Sequence, residues 1–233
     1  MTGSPLAVDI ETIGLDWDGL GSDVQDYLLQ RARTPEEREA VPDRLALHPG
    51  TGRVVAIGMW RPGDDRGGVL AADEQGSGVW EPFEDDGSGQ TLIFRASEAD
   101  ILREFWRYVQ DGAGTIITFN GRSFDAPFLM LRSAILDVAP SRNLVPYRYS
   151  FREHCDLAEV LTFFRARPLD AFHFWCRQFG IESPKSEMDG AGVGDAFRAG
   201  KLSAIARYCL QDARATALLY DRLLPIIRLM DKK

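Results

Sequence analysis

The sequence predicts an α/β fold with a mixed sheet covered by helices, and three observations support this prediction. Apolar segments rich in valine, isoleucine and alanine, such as "LAVDIE" and "RVVAIGMW", come early and are typical of buried strands. Strand and helix patterns alternate in the middle of the chain, and helical patterns fill its last third. Because the 233 residues contain no internal repeat and no long linker, we expect one domain over residues 1–233.

Strands are expected where short apolar runs lie between turn-forming residues. They cover residues 6–11, 53–60 and 114–121, with shorter strands near 68–73, 78–80 and 91–94. Helices are expected at residues 23–33, 97–112, 126–136, 156–164, 170–180 and 195–198, and from 203 onwards. Thr34 before Pro35 favours a further short helix, and Ser97 with Asp100 resembles a capping box.

The charge of the chain is negative and uneven. The formal net charge is −8, which by itself argues against binding nucleic acid over a broad surface. Residues 1–100 contain 8 basic and 20 acidic side chains, a balance of −12, whereas residues 101–233 contain 19 and 15, a balance of +4. Most basic residues of the second part are arginines, whose planar guanidinium suits phosphate recognition.

The cysteine content and the absence of long apolar segments indicate in which cellular compartment the protein is found. Cys155, Cys176 and Cys209 form no tight motif, and an odd, low count favours a reducing environment. No segment has the length and apolar character of a membrane span, and the first residues lack the pattern of a signal peptide. We therefore expect a cytoplasmic protein without a membrane partner.

Two acids lie on the first predicted strand. Asp9 and Glu11 are two residues apart, so their side chains point to the same face of the sheet. Two carboxylates within an apolar strand are costly unless a positive group pairs with them, and Mg²⁺ or Mn²⁺ would do so because both prefer oxygen ligands. The alternative is that the strand ends at Ile10 and that Glu11 begins a solvated turn.

A third acid follows a later strand. In "TFNGRSFDAPFL" the strand ends before a sharp turn at Asn120-Gly121, and Phe124-Asp125 begins a helix. The start of a helix offers unsatisfied N–H groups and the positive end of the helix dipole. One interpretation makes Asp125 a helix cap ahead of Pro127, but a cap does not explain why Asn120 and Phe124 accompany it.

The last predicted helix carries a fourth acid. Tyr208 and Asp212 are four residues apart in "IARYCLQDARATALLY", so both lie on one helical face. Alone, such a pair is typical of an ordinary helix surface. If Asp212 joins Asp9 and Glu11 around a cation, the cost of burying these carboxylates falls.

Three short motifs, in the order found here, carry a resemblance to a known family. "DIET" at 9–12, "FNGRSFD" at 119–125 and "YCLQD" at 208–212 together resemble the exonuclease motifs of the DEDD superfamily. The tyrosine four residues before the last acid is similar to that of the DEDDy branch. The chain resembles, from Leu6 to about Leu224, stand-alone proteins similar to the 3′–5′ exonuclease domain of family B DNA polymerases.

The resemblance implies a ribonuclease H-like fold, with a mixed five-stranded central sheet flanked by helices. It also implies two divalent cations, Mg²⁺ or Mn²⁺, bound by Asp9, Glu11, Asp125 and Asp212. Tyr208 would orient the water that attacks the phosphorus. Residues 16–50 depart from the shortest domains of this kind, and we expect them to form an insertion near the active-site cleft.

The resemblance and the residue types also indicate groups that contact the substrate. The candidates are Thr12, Asn120, Arg122, Phe124 and Lys185. Phe124 either stacks near the terminal base or sugar, as aromatic side chains do with single strands, or packs in the core. Further candidates for the path of the strand, each with the alternative role of a solvated surface residue, are Arg132, Arg142, Arg148 and Arg152.

These features predict a metal-dependent 3′–5′ exonuclease. It would hydrolyse phosphodiester bonds at the 3′ end of single-stranded or frayed DNA and release nucleoside 5′-monophosphates. No feature of the sequence reads a 2′-hydroxyl, so an exoribonuclease that trims RNA ends is the first alternative. A non-catalytic nucleic-acid-binding module, such as an accessory subunit of repair proteins, is the second.

Overall fold

A mixed sheet of seven strands forms the centre of the computed structural model, which describes residues 3–64, 66–84, 90–182 and 190–231. The strands are β1 (Ser4–Gly14), β2 (Gly52–Arg61), β3 (Arg66–Ala72), β4 (Trp80–Pro82), β5 (Gln90–Ala96), β6 (Ala113–Thr118) and β7 (His154–Asp156). Their order across the sheet is β4-β5-β3-β2-β1-β6-β7. The first three strands pair in antiparallel fashion, whereas β6 runs parallel to β1 and to β7.

Helices cover both faces of this sheet. They are α1 (Ser22–Arg31), α2 (Pro35–Glu39), α3 (Glu98–Gly112), α4 (Asp125–Ile135), α5 (Leu157–Leu161), α6 (Phe172–Gln178), α7 (Val193–Arg198) and α8 (Leu202–Met230). Two 3₁₀ helices, Pro42–Leu47 and Gly190–Gly192, complete the helical segments of the described residues.

The expected α/β architecture is confirmed, but the sheet has seven strands rather than five. The additional pairings involve very short strands, since β4 and β7 contain three residues each. Strand β4 pairs with β5 in antiparallel fashion, and β7 pairs with β6. A strand of three residues is too short to show the alternation by which strands are recognised in a sequence. For this reason the sequence analysis missed β7 and assigned Asp156 to a helix.

The two faces of the sheet have separate hydrophobic cores. On one face, Ala7 and Ile117 pack in a cluster with Ile205 and Leu210 of α8. On the other face, Leu6 and Ile57 pack with the residues of α3 and α4, including Phe105 and Phe128. The alternation of side chains along β1 therefore directs Asp9 and Glu11 to the face that α8 covers.

The helix starts follow the capping signals of the sequence. The Thr34 hydroxyl accepts a hydrogen bond from the Glu37 amide at 3.2 Å, with Pro35 at the first helical position. The Ser97 hydroxyl accepts from the Asp100 amide at 3.2 Å and donates to the Asp100 carboxylate at 2.7 Å. Thr34 and Ser97 are thus confirmed as helix caps, but the Asp100 carboxylate is bound to the Ser97 hydroxyl, whereas in a capping box the acid accepts from the backbone amide of the cap residue.

Residues 16–50 lie beside the end of β1. They contain α1, α2 and the first 3₁₀ helix. The Thr12 hydroxyl donates to the carbonyl oxygen of Ala46 at 2.8 Å, and the residues that flank the segment are joined because the Leu15 amide donates to the carbonyl oxygen of Thr51 at 2.8 Å. The segment is thus attached to the strand that carries Asp9 and Glu11.

The three cysteines are free and buried. Within the described part of the chain, no helix is both long and apolar enough to cross a membrane.

Candidate active site

Strand β1 carries two acids well inside the sheet. The strand continues to Gly14, and Glu11 is 8% exposed, so the alternative in which Glu11 begins a solvated turn is wrong. Asp9 lies opposite Gly58 of β2, and Glu11 lies opposite Ala56. The pairing with β2 shifts its register between Glu11 and Thr12, which is the signature of a β-bulge. Bulges of this kind redirect side chains and occur next to active sites.

Helix α8 approaches these acids closely because β2 has a glycine at the crossing. A Cβ atom at Gly58 would overlap the carbonyl oxygen of Cys209. The Gly58 amide donates to the Cys209 sulfur at 3.1 Å, and the thiol contacts the Asp9 carbonyl oxygen at 3.4 Å. The helix residues next to this contact, Tyr208 and Asp212, are therefore held over β1.

Asp9, Glu11 and Asp212 form an acidic cluster. Each offers one carboxylate oxygen, and these oxygens all lie within 4.8 Å of one another. Burial raises the pKa of Asp9 and that of Glu11 well above the usual range, and the charges of Asp212 and Asp125 raise both further. Carboxylates held this closely in the metal-free protein favour a bound proton or a cation. An all-oxygen donor set of this kind fits Mg²⁺ or Mn²⁺.

Asp125 lies at the point where β1 and β6 separate. The two strands are paired as far as Ala7 and Ile117, and farther along β1 the Ile10 amide donates to Asp125 Oδ1 at 3.2 Å. This carboxylate thus accepts a hydrogen bond from the backbone of β1. The interpretation of Asp125 as only a helix cap is therefore wrong. Burial, with a contribution from the charge of Asp156, raises the pKa of Asp125 to about 7. Asp125 lies outside the group of three clustered acids, although its charge acts on Asp9 and Glu11.

Tyr208 is bound to one acid of the cluster. Its side chain is hydrogen-bonded to that of Asp212 and is 9% exposed. Burial is the main cause that raises the pKa of Tyr208 above its usual range, and the charges of Asp212, Glu11 and Asp9 raise it further. The phenol therefore keeps its proton at neutral pH and can donate a hydrogen bond.

The loop before Asp125 is fixed by one buried carboxylate. Asp156 accepts hydrogen bonds from the amides of Asn120, Arg122 and Ala158 at 2.8, 3.0 and 2.9 Å. Asn120 has a φ of 61°, a conformation that asparagine tolerates better than most residues. Sequence reasoning did not identify Asp156 as part of the site. The available signal was its position before "LAEV", where it caps α5.

Three of the substrate-binding candidates have hydrogen-bond or ionic partners within the chain. The Thr12 hydroxyl is bound to Ala46, and Asn120 Oδ1 accepts from Arg165 at 2.7 Å. The Arg122 guanidinium donates to the Pro146 carbonyl at 2.8 Å and faces Glu159 at 3.2 Å. Lys185 lies outside the described residues.

Phe124 packs in the core, which is one of the two roles that the sequence left open. Its ring centroid lies 5.5 Å from that of Phe128, and the side chain is packed against the core on the α3 and α4 face. The residue is only partly buried, and stacking of a base or sugar on its ring stays a prediction.

Two of the arginines considered for the strand path have internal partners. Arg132 is 7% exposed and forms a two-fold hydrogen bond with Glu98 at 2.8 and 2.9 Å. It cannot line a strand path from this position, and that expectation is wrong. Arg142 donates to the carbonyl oxygens of Ala113, Gly114 and Glu153.

Together, the fold and a family match define a 3′–5′ exonuclease. Residues 90–232 match the family described as "Predicted 3'-5' exonuclease related to the exonuclease domain of PolB". This match covers more than half of the chain, and the chain therefore belongs to that family. The matched region contains Asp125, Tyr208 and Asp212, and the folded chain adds Asp9 and Glu11 from β1 to Asp212.

The fold is also similar to that of a solved polymerase. The family B DNA polymerase from the hyperthermophilic archaeon Pyrobaculum calidifontis superposes with a TM-score of 0.59 at 19% sequence identity. The alignment covers 100% of this chain and 28% of the polymerase chain. At this identity the likeness concerns the fold, and the chain corresponds to a little over a quarter of the polymerase.

Proposed function

We propose that the chain is a single exonuclease domain that removes nucleoside 5′-monophosphates from the 3′ end of single-stranded or frayed DNA. The observation that carries this proposal is the convergence of Asp9, Glu11 and Asp212 within 4.8 Å, with Tyr208 bound to Asp212. Three carboxylates and one phenol from distant parts of the sequence meet at one place. Burying these carboxylates without a cation costs free energy, which argues against a purely structural role for the cluster.

In this proposal, Asp9, Glu11 and Asp212 hold divalent cations, Mg²⁺ or Mn²⁺, and Asp125 supports a second ion. Bound cations of this kind acidify water and neutralise the charge that develops on a phosphate. Oxygen donors are the ligands that both ions prefer. The carboxylates of the cluster repel one another, so their mutual arrangement is expected to be strongly stabilised when cations bind.

Tyr208 has a positioning role in the proposed reaction. Its phenol stays protonated at neutral pH because burial and three neighbouring acids raise its pKa. A protonated phenol is a hydrogen-bond donor and acceptor rather than a base. Tyr208 would therefore orient the attacking water, while its bond to Asp212 fixes the position of the hydroxyl.

The choice of DNA is supported by the family, whose description relates it to a DNA polymerase domain. None of the contacts described above distinguishes a deoxyribose from a ribose, so RNA is an alternative outcome of the test. The free, buried cysteines agree with a reducing compartment, and we propose the cytoplasm, with a role in DNA repair.

The test is to incubate the pure protein with 5′-labelled single strands of DNA and RNA, in manganese, magnesium or chelator. We expect a ladder that shortens from the 3′ end of DNA and disappears in chelator. Asp9→Ala and Asp212→Ala are each expected to reduce the rate at least about 1,000-fold, because each removes a ligand of the cation. Asp111→Asn, a change at an exposed acid of α3, is the matched control.

Other results of the cleavage assay would support one of the alternatives. A ladder on RNA and none on DNA would replace the proposed substrate. No cleavage of either strand with any metal, together with binding of the intact strands, would favour the non-catalytic module. An Asp9→Ala protein with the wild-type rate would show that the cations are not held by this cluster.

A further inference from the structure

Two exposed tyrosines and the half-buried Phe164 form an aromatic surface near the loop that precedes Asp125. Tyr147 is 65% exposed, and Tyr149 is 51% exposed. The rings of Tyr147 and Tyr149 lie 5.8 Å apart, and the ring of Phe164 lies 4.9 Å from that of Tyr149. Phe164 is in turn stacked on the buried Phe151, at 5.3 Å and 7°. We call Tyr147, Tyr149 and Phe164 the aromatic platform.

The platform is supported by an unusual turn of the chain. Phe163, Phe164 and Arg165 are consecutive residues with φ values of 51°, 56° and 70°. Bulky residues rarely adopt this left-handed conformation, and such residues cluster at functional sites. The turn is fixed because the Phe164 amide donates to the Glu159 carbonyl at 2.8 Å and the Arg165 amide donates to the Thr162 hydroxyl at 3.0 Å.

Three arginines belong to the segments around the platform: Arg148 lies between Tyr147 and Tyr149, Arg165 follows Phe164, and the Arg122 guanidinium donates to the Tyr147 carbonyl oxygen at 3.4 Å. Arg122 and Arg148 both face the buried Glu159, at 3.2 and 2.7 Å, so two cations share one carboxylate. The Arg122 side chain is buried, whereas Arg148 and Arg165 are exposed, and Arg165 donates to Asn120 Oδ1 at 2.7 Å. Residues 142–167 contain five arginines against three acids, a surplus of positive charge in a chain whose net charge is −8.

A pocket joins this arginine-rich surface to the loop of the candidate active site. It has a volume of about 780 Å³, and Asn120, Arg122, Arg148 and Arg165 are among its lining residues. Asp125 follows the pocket-lining Ser123 by two residues. Val145 and Pro146, which precede Tyr147, also line the pocket, so it connects the segment of the platform with the loop that leads to Asp125.

We infer that the aromatic platform and its arginines form a subsite for single-stranded nucleic acid, which binds the nucleotides on the 5′ side of the terminal one. Single-strand sites combine aromatic rings, on which bases stack, with positive charges that follow the phosphates. Tyr147 and Tyr149 would supply the rings, and Arg148 and Arg165 the charges. This inference rests on the proposed function, since it assigns the strand to the same active site.

A single strand is favoured over a duplex because the exposed rings of Tyr147 and Tyr149, which meet edge to face, can stack with unpaired bases. Bases of a duplex are stacked on one another and present no free face to such rings. A protein partner would have to cover exposed arginines with acids, whereas the phosphates of a strand provide negative charge at every nucleotide.

The test compares the Tyr147→Ala/Tyr149→Ala variant with the matched Tyr147→Phe/Tyr149→Phe variant. Fluorescence anisotropy with a 5′-labelled 12-nucleotide single strand is measured in chelator, so that the strand stays intact. Loss of both rings is expected to weaken binding about 10-fold or more, because stacking on an aromatic ring contributes strongly per base. The Phe variant keeps the rings and is expected to bind within about two-fold of wild type.

Hydrolysis of the p-nitrophenyl ester of thymidine 5′-monophosphate serves as a separate measure of the active site, because this substrate is too short to reach the platform. A wild-type protein that binds the 12-mer but cleaves neither substrate would contradict the proposed function alone. An Ala variant that binds the 12-mer as wild type does would overturn the platform. Equal losses on the single strand and on a blunt duplex, or in the Ala and Phe variants, would also overturn it.

The single change Tyr147→Ala tests the inference in a variant that is expected to fold even if the double variant does not. The ring of Tyr147 is largely exposed, and its removal leaves the contact between Tyr149 and Phe164 in place. We expect an unchanged melting temperature and about a three-fold or greater weakening of 12-mer binding. A folded Tyr147→Ala protein with wild-type affinity would exclude stacking on this ring.

Discussion

The thiol of Cys209 lies 3.8 Å from a carboxylate oxygen of Asp9. Its sulfur also accepts a hydrogen bond from the Gly58 amide, so one buried side chain connects α8 with β1 and β2. The distance between the acids of β1 and the residues of α8 is therefore set at Cys209. Changes at this contact are expected to move Tyr208 and Asp212 relative to Asp9 without altering any of the clustered acids.

Gly58→Ala is expected to displace α8 from the sheet. The added methyl would overlap the Cys209 carbonyl oxygen, and overpacking of a core typically costs about 1–3 kcal/mol. We expect a lower free energy of unfolding and a loss of exonuclease rate of about 10-fold or more, measured by denaturant melts and single-turnover assays. The control is Gly112→Ala, where the nearest atom is the flexible end of Arg61 at 3.4 Å. If Gly58→Ala behaved like this control, the close crossing would not position the site.

The stability of the metal-free protein is expected to fall as the pH rises from about 4 to about 7. Asp125 has a pKa of about 7 in the folded protein, against about 3.9 in the unfolded chain. In this window the folded state holds a proton that the unfolded state has lost, so unfolding is favoured as the pH increases. The contribution is on the order of 1–4 kcal/mol, and the raised pKa values of Asp9 and Glu11 act in the same direction.

Thermal melts in chelator at pH 5.5, 7 and 8.5 measure this effect. Asp125→Asn keeps an oxygen acceptor for the Ile10 amide and removes the charge, so its melting temperature is expected to fall less over this range. Manganese added at pH 8.5 should raise the melting temperature of the wild type. Identical pH slopes for the wild type and Asp125→Asn would rule out Asp125 as a source of the effect.

Tyr208→Phe is expected to lower kcat about 10- to 1,000-fold and to leave cation binding close to wild type. The change removes only the hydroxyl bound to Asp212, and the three clustered carboxylates remain. Because the raised pKa keeps this phenol protonated, the pH dependence of the residual rate should keep its shape. Isothermal titration with Mn²⁺ and a pH–rate profile measure the two properties. A variant as inactive as Asp9→Ala, with normal Mn²⁺ affinity, would give Tyr208 a larger role than orienting water.

Asp156→Asn is expected to weaken the loop that leads to Asp125. The new amide group turns one oxygen acceptor into a donor that faces a backbone N–H, and an unsatisfied buried donor costs about 1–3 kcal/mol. We expect a lower melting temperature and a higher KM for single strands, because Asn120 and Arg122 lose their support. Asp195→Asn, at a side chain that is 84% exposed, is the control. Equal melting temperatures and KM values for the two variants would contradict this role of Asp156.

The acids of the candidate site could be singled out in the sequence because their chemistry is visible in residue type and spacing. Asp9 and Glu11 alternate on an apolar strand, and Tyr208 and Asp212 share a helical face. Their meeting point could be inferred only through the family resemblance, since no local rule brings residue 9 to residue 212.

The features that the sequence did not reveal depend on distant partners. Arg132 is an internal residue because Glu98, 34 positions earlier, binds its guanidinium, and an arginine without that partner would be exposed. The left-handed turn at Phe163 has no glycine or asparagine to indicate it. Gly58 within an apolar strand was the one available signal for the close approach of a helix.

The three hydrogen bonds to Asp156 have a thermodynamic consequence for substrate binding. They fix the Asn120–Arg122 backbone before any strand arrives. The conformational entropy of this loop is thus lost once, during folding, and need not be lost again when a ligand binds there. In the proposed function, a larger part of the contact free energy would then be available to hold the strand, and a preorganised loop of this kind would favour fast, repeated engagement of frayed ends.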